Sequence, residues 1–228
     1  YQKLTDAELN EKLLQEQDKT IDNYKKSLEK IKSQKQNLKE ISNQQKEKKN
    51  LNWNDKNKLK KFIQKQKMND QLMKKFNEDL KRNLEKFQKD NLKEDSFKEE
   101  LKKRLDNQKE QIKKNEKLLK ELNELQDKLR QEDLLNKIEN LSKEKLNQER
   151  SLEQILELTK RYYISKKQEK IVNELEKLSK KQKNLSEKNN KENTKEKQDK
   201  LNKEFNKLEK DIQDLKNENQ ELKKPIDL

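Results

Sequence analysis

Along the chain, apolar residues recur three and four positions apart between runs of charge, the spacing of helices that each bury one narrow stripe. Thr5 and Glu8 have the spacing of a capping box, so a first helix is predicted to begin there. Its stripe runs through Ile21, Tyr24, Leu28, Ile31 and Leu38, with Lys35 at the core position before Leu38. A polar residue in such a seam costs stability and restricts the partners it accepts. Over 43–50 the apolar residues stop. Leu51, Trp53 and the neighbouring asparagines form the first break, with Asn54 as the expected N-cap of a second helix carrying Leu59, Phe62, Ile63, Met73, Phe76, Leu80, Leu84 and Phe87. The last five are spaced 3, 4, 4 and 3, an 11-residue step that should straighten the supercoil. Trp53 is expected to pack beside the helix start as a staple rather than to bind a ligand.

A second break falls at 90–95, followed by a capping-box pair, Ser96 and Glu99, ahead of Leu101, Leu105, Ile112 and Leu119. Leu122, Leu125, Leu129, Leu134, Ile138 and Leu141 continue this helix, with a register shift near 131–133. Ser151 and Gln154 repeat the box spacing, which fits either a bend or a serine inside continuous helix. The segment 151–178 is the densest in apolar residues, and its face is wider than a two-stranded seam requires. It predicts contact with two neighbouring helices, or with one helix and a separate protein. Ile155, Leu156, Tyr162, Tyr163 and Ile164 form the candidate partner contact, and core packing is the commoner use of such a face. From 186 to 194 no apolar residue occurs and three asparagines do, marking a linker. The final helix carries Leu201, Phe205, Leu208, Ile212, Leu215, Asn219 and Leu222 in alternating steps of 4 and 3, with Asn219 in the seam and Pro225 ending it.

Four regions result: an amphipathic helix over 1–50, a second helix with a basic start over 51–91, a long helical region over 92–190, and a heptad helix over 191–228. Short connectors favour antiparallel neighbours, so the chain is expected to double back near 50–54, 91–95 and 189–193. The predicted fold is all-α, built of elongated antiparallel helical hairpins or coiled coil, with no sheet.

Composition narrows the chemistry. Charged residues make up 46% of the chain and hydrophobic ones 26%, too few for a globular core of ordinary size. Disorder is the competing reading of such a composition, and the apolar periodicity argues against it. Glycine, cysteine and histidine are all absent. Phosphate-cradling glycine loops, nucleophile elbows, soft-metal sites and histidine-assisted nucleophiles are thereby excluded, so neither an enzyme nor a cofactor or metal site is expected. The expected partners are other protein chains or other parts of the same polypeptide. The formal net charge is +14, and 25–61 holds thirteen lysines against four acids. Lys46, Lys48, Lys49, Lys60 and Lys61 are therefore the candidate phosphate contacts for nucleic acid or an anionic surface. Scarce arginine and the lack of interleaved aromatics favour a solvated lysine face instead. No apolar run approaches the roughly 18–20 residues that span a bilayer. Tyr1 in place of methionine reads as the start of a piece of a longer polypeptide, with any membrane contact lying in segments outside it.

The segment Asn147-Gln148-Glu149-Arg150-Ser151-Leu152-Glu153-Gln154-Ile155-Leu156-Glu157-Leu158-Thr159-Lys160-Arg161-Tyr162-Tyr163 resembles a stretch of large membrane-anchored Bacteroidetes proteins that carry a domain of unknown function. Leu51-Asn52-Trp53-Asn54-Asp55-Lys56, with the lysine-rich helix after it, resembles the same proteins. The resemblance implies transmembrane helices N-terminal to this segment and a long charged helical region in the cell envelope, on its periplasmic side or attached to the membrane. It implies no established activity and transfers no functional residue. The composition alone leaves the cytoplasm open.

Overall fold

The computed structural model describes residues 5–46, 52–87, 92–125, 131–187 and 194–228, and among these the chain is all-α, with five helices and no strand. They are α1 (Asp6–Lys46), α2 (Trp53–Lys86), α3 (Leu92–Leu125), α4 (Gln131–Ser186) and α5 (Lys195–Gln220). The chain divides into two compact units, Tyr1–Thr159 and Lys160–Leu228, so α4 contributes its first part to one and its remainder to the other.

The first unit is a bundle of four helices running alternately up and down. Tyr24 Oη donates to Asn77 Oδ1 at 2.9 Å, and Asn83 Nδ2 donates to the Leu13 carbonyl at 3.0 Å, so α1 and α2 are antiparallel. Ion pairs Lys74–Glu116 at 2.6 Å and Lys81–Asp106 at 3.1 Å set α3 antiparallel to α2. Lys137–Glu121 at 2.6 Å and the Arg104–Gln154 hydrogen bond do the same for α3 and α4. Lys46–Glu139 at 3.0 Å and Lys35–Glu149 at 2.5 Å close the bundle between α1 and α4. Lys35, expected in the seam, thus reaches its flank and pairs with a carboxylate. At one level the core combines Leu38 and Ile41, Leu59, Phe62 and Ile63, Leu119 and Leu122, and Leu134, Ile138 and Leu141, drawing on all four helices.

Heptad spacing of buried positions runs unbroken through three of these helices. On α2 it passes through Leu59, Ile63, Gln66, Asp70, Met73, Asn77, Leu80 and Leu84, and ends at the C-cap Phe87. The expected 11-residue step does not occur: Asn77, not Phe76, holds the core position, and the half-exposed Phe76 lies edge-on to Tyr24 with ring centroids 6.4 Å apart. On α3 the buried row is Leu101, Leu105, Gln108, Ile112, Asn115, Leu119 and Leu122. On α4 it is Leu134, Ile138, Leu141, Lys145, Gln148, Leu152, Ile155, Thr159 and Tyr162.

Helix starts follow local capping chemistry. Glu8 N donates to Thr5 Oγ1 at 3.3 Å and Thr5 N to Glu8 Oε2 at 2.8 Å, the expected box. The Thr5 backbone N–H, and the Thr5 hydroxyl, which also donates to Glu8 Oε2 at 2.9 Å, hold the Glu8 carboxyl below its ordinary value. The second helix is capped by Asn52 rather than Asn54: Asp55 N donates to Asn52 Oδ1 at 2.9 Å, and Asn52 N returns a bond to Asp55 Oδ2 at 3.3 Å. Trp53 is 76% exposed and is not a staple. The third helix starts at Leu92, before the Ser96–Glu99 pair. The region 92–190 is not one long helical stretch, because the chain reverses between α3 and α4; Leu129, placed on a continuing helix, lies outside the described residues. Ser151 and Gln154 sit within continuous α4. The other three reversals lie close to their expected places, but 53–54 are already helical in α2 and 92–95 in α3, so the second reversal falls before the expected 91–95; 50, 51, 91 and 189–193 lie outside the described residues.

The second unit is a hairpin of the remainder of α4 with α5. Lys167–Glu218 at 2.8 Å and Lys181–Glu204 at 2.7 Å set the two antiparallel. Ile164, Ile171, Leu215 and Leu222 are buried together, with Tyr163, Leu175, Ile212 and Ile226 against them. Helix α5 ends at Gln220, five residues before Pro225. Asn219, in the seam as its spacing indicated, donates to the Ile226 carbonyl at 2.8 Å and accepts from Ile226 N at 2.9 Å. The seam asparagine therefore clamps the chain's own tail.

Candidate functional site

The proposed partner contact is used within the chain itself. Ile155, Tyr162 and Ile164 are fully buried, while Leu156 and Tyr163 are half-buried. Ile155 and Leu156 belong to the first unit and the other three to the second. Ile164 and Tyr163 pack against α5 residues. As a contact for a separate protein the set is corrected on this point, because three of its five residues have essentially no surface to offer. Lys166 and Lys167 stand over the Tyr162 and Tyr163 rings, with Nζ 5.9 and 6.0 Å from the centroids.

Of the candidate phosphate contacts, Lys46, Lys60 and Lys61 lie among the described residues. Lys46 pairs with Glu139, and Lys48 and Lys49 lie outside the described residues. Lys60 and Lys61 are exposed on α2, where Lys61, Lys58 and Lys65 border a groove against Glu40, Ile41 and Phe62. The α1 lysines face a row of α4 carboxylates, with Lys32–Glu153 at 3.8 Å beside Lys35–Glu149. With Lys46–Glu139, these pairs answer three of the thirteen lysines of 25–61 from the neighbouring helix.

The most unusual chemistry lies inside the first unit. Lys145 has no exposed surface and Asp70 is 2% exposed, with Nζ 3.8 Å from Oδ1. At that separation they form an ion pair, and the Lys145 hydrogen bond goes to Gln148 Oε1 at 2.6 Å. Asp70 accepts from Gln66 Nε2 at 2.8 Å and from Asn115 Nδ2. Burial raises the Asp70 carboxyl, against the pull of Lys145 and the two amides. Burial also lowers the Lys145 ammonium to about 8, with Asp70 opposing it. Gln108 is buried at a neighbouring seam position of α3. Among the described residues no cluster of acidic side chains is suited to hold a metal ion.

A search for apolar stripes misses this cluster because it treats each polar residue as an interruption. Carrying the heptad phase of Leu59 and Ile63 forward would have placed Gln66 and Asp70 in the seam; the same step from Ile138 and Leu141 places Lys145 and Gln148 there. The chain shows no similarity to a protein-family model, to a curated protein or to a solved structure. No helix among the described residues is long and apolar enough to cross a membrane.

Proposed function

We propose that this chain is a structural and interaction region, a helical spacer and docking surface within a larger, membrane-anchored protein of the cell envelope, and that it is not an enzyme. One observation carries the docking part. In the second unit the remainder of α4 packs against α5, and Val172 and Phe205 are each left 47% exposed. Phe205 borders a groove of about 390 Å³ with Leu175, Leu178 and Leu201, an apolar lining suited to the face of another amphipathic helix. The occupant we propose is such a helix from a partner chain or from elsewhere in the same polypeptide. The lack of glycine, histidine and cysteine supports a non-enzymatic role, and the two resembling segments support the envelope setting.

A photo-crosslinking residue at position 205 of the full-length protein, in cells of its source, tests the reading. Capture of one discrete protein segment, lost on Val172→Lys and retained at high salt, is expected. The alternative, non-specific binding of nucleic acid or an anionic surface through 25–61, predicts nucleic-acid retention that weakens steeply with salt and ignores Val172→Lys.

A further inference from the structure

A cavity of about 80 Å³ lies among the four helices of the first unit, lined in part by Ile31 of α1, Gln66 and Asp70 of α2, Gln108 of α3 and Gln148 of α4. Three of these residues are more than nine-tenths buried and carry a side-chain atom with no hydrogen-bond partner from the protein: Gln66 Oε1, Gln108 Oε1 and Gln148 Nε2. Buried polar atoms are paired in the great majority of cases, so three on side chains that line one cavity point to a ligand.

The polarity of the site is fixed at two of the three positions. Gln66 Nε2 is committed to the Asp70 carboxylate, which only accepts, so its Oε1 is left as an acceptor. Gln148 Oε1 is committed to the Lys145 ammonium, which only donates, so its Nε2 is left as a donor. Gln108 can turn either end inward. An ion is poorly matched, because Asp70 and Lys145 already answer each other's charge and the side chains that line this space carry both an open acceptor and an open donor. At about 30 Å³ per water, the volume takes two or three waters or one solute of three or four non-hydrogen atoms. The exposed Lys26 and Lys30 also border the cavity, on its solvent side.

We propose that this cavity binds a small neutral molecule that both donates and accepts hydrogen bonds, either water or a solute of urea or primary-carboxamide size. The test is nuclear magnetic resonance of the intact chain, following the side-chain amides of Gln66, Gln108 and Gln148. Long-lived water cross-peaks at these amides identify water as the occupant. Saturable shifts on addition of acetamide, with loss of the water cross-peaks, identify a solute site, and Gln108→Leu should then weaken acetamide about tenfold. In either case Gln108→Leu lowers Tm, because it removes a partner of the bound molecule. Neither water cross-peaks nor saturable shifts, or a Gln108→Leu chain that melts higher than the parent, would overturn the proposal, since replacing a truly unpaired buried amide with an apolar side chain should stabilise.

Discussion

An ammonium with no exposed surface, held by one carboxylate and one amide, dominates the residue scale. Removing one member of a buried ion pair leaves the other charge uncompensated, so Lys145→Met should cost about 3–5 kcal/mol. The double variant Asp70→Leu, Lys145→Met should recover most of that loss, because well-packed apolar residues replace such pairs at little or no cost. Urea denaturation of the two single variants and the double variant gives the comparison directly. The same lysine makes stability depend on pH. Its folded value, about 8, is below the ordinary 10.5, so the folded chain loses this proton first. Below pH 8 the folded state bears the full cost of the buried charge. From about 8 to 10.5 the unfolded chain binds the extra proton, so this contribution increases stability with pH, by roughly 3 kcal/mol across the window. A denaturation series from pH 7 to 10 should show that rise in the parent and not in Lys145→Met. None of this could be read from apolar spacing, because Lys145, Asp70 and Gln66 look like surface residues unless the heptad phase is carried through them. Trp53 failed in the opposite sense: an apolar residue beside a cap looked like a staple, yet the Asn52–Asp55 box completes the helix start without it.

At the scale of the elements, side chains that pair with backbone set where helices begin and how the chain leaves their ends. Asn52→Ala removes the acceptor for Asp55 N and should cost about 1 kcal/mol in a urea melt. Asn219→Leu keeps an apolar-compatible seam but removes both bonds to Ile226, so the Ile226 amide should lose hydrogen-exchange protection while α5 keeps its own. If protection at Ile226 is unchanged, Asn219 does not hold the tail. Capping chemistry made the start of α1 readable from Thr5 and Glu8, and the apolar gap after Leu185 marked the turn between α4 and α5. The reversal between α3 and α4 could not be read the same way. No glycine or proline lies between Leu125 and Gln131, and Leu122, Leu125 and Leu129 keep a helical spacing across it. That spacing records which residues are apolar and is indifferent to the direction of the chain.

At the scale of the whole molecule, the net charge of +14 is what remains after all acids are counted, and Lys32, Lys35 and Lys46 of α1 pair with Glu153, Glu149 and Glu139 of α4. Such pairs are worth about 0–1 kcal/mol each where they are exposed, so they set register and solubility more than stability. The central claim is that one chain supplies all four helices of the first unit, in one antiparallel register. Because the sequence has no cysteine, introduced thiol pairs can test it cleanly with a short bismaleimide and mass spectrometry. Lys74→Cys with Glu116→Cys, Lys35→Cys with Glu149→Cys, and Glu121→Cys with Lys137→Cys should each link within a single chain. Lys81→Cys with Glu116→Cys, displaced by one heptad, should link poorly. Equal linking of the displaced pair, or links mainly between chains, would contradict the register and favour a multi-chain assembly in its place.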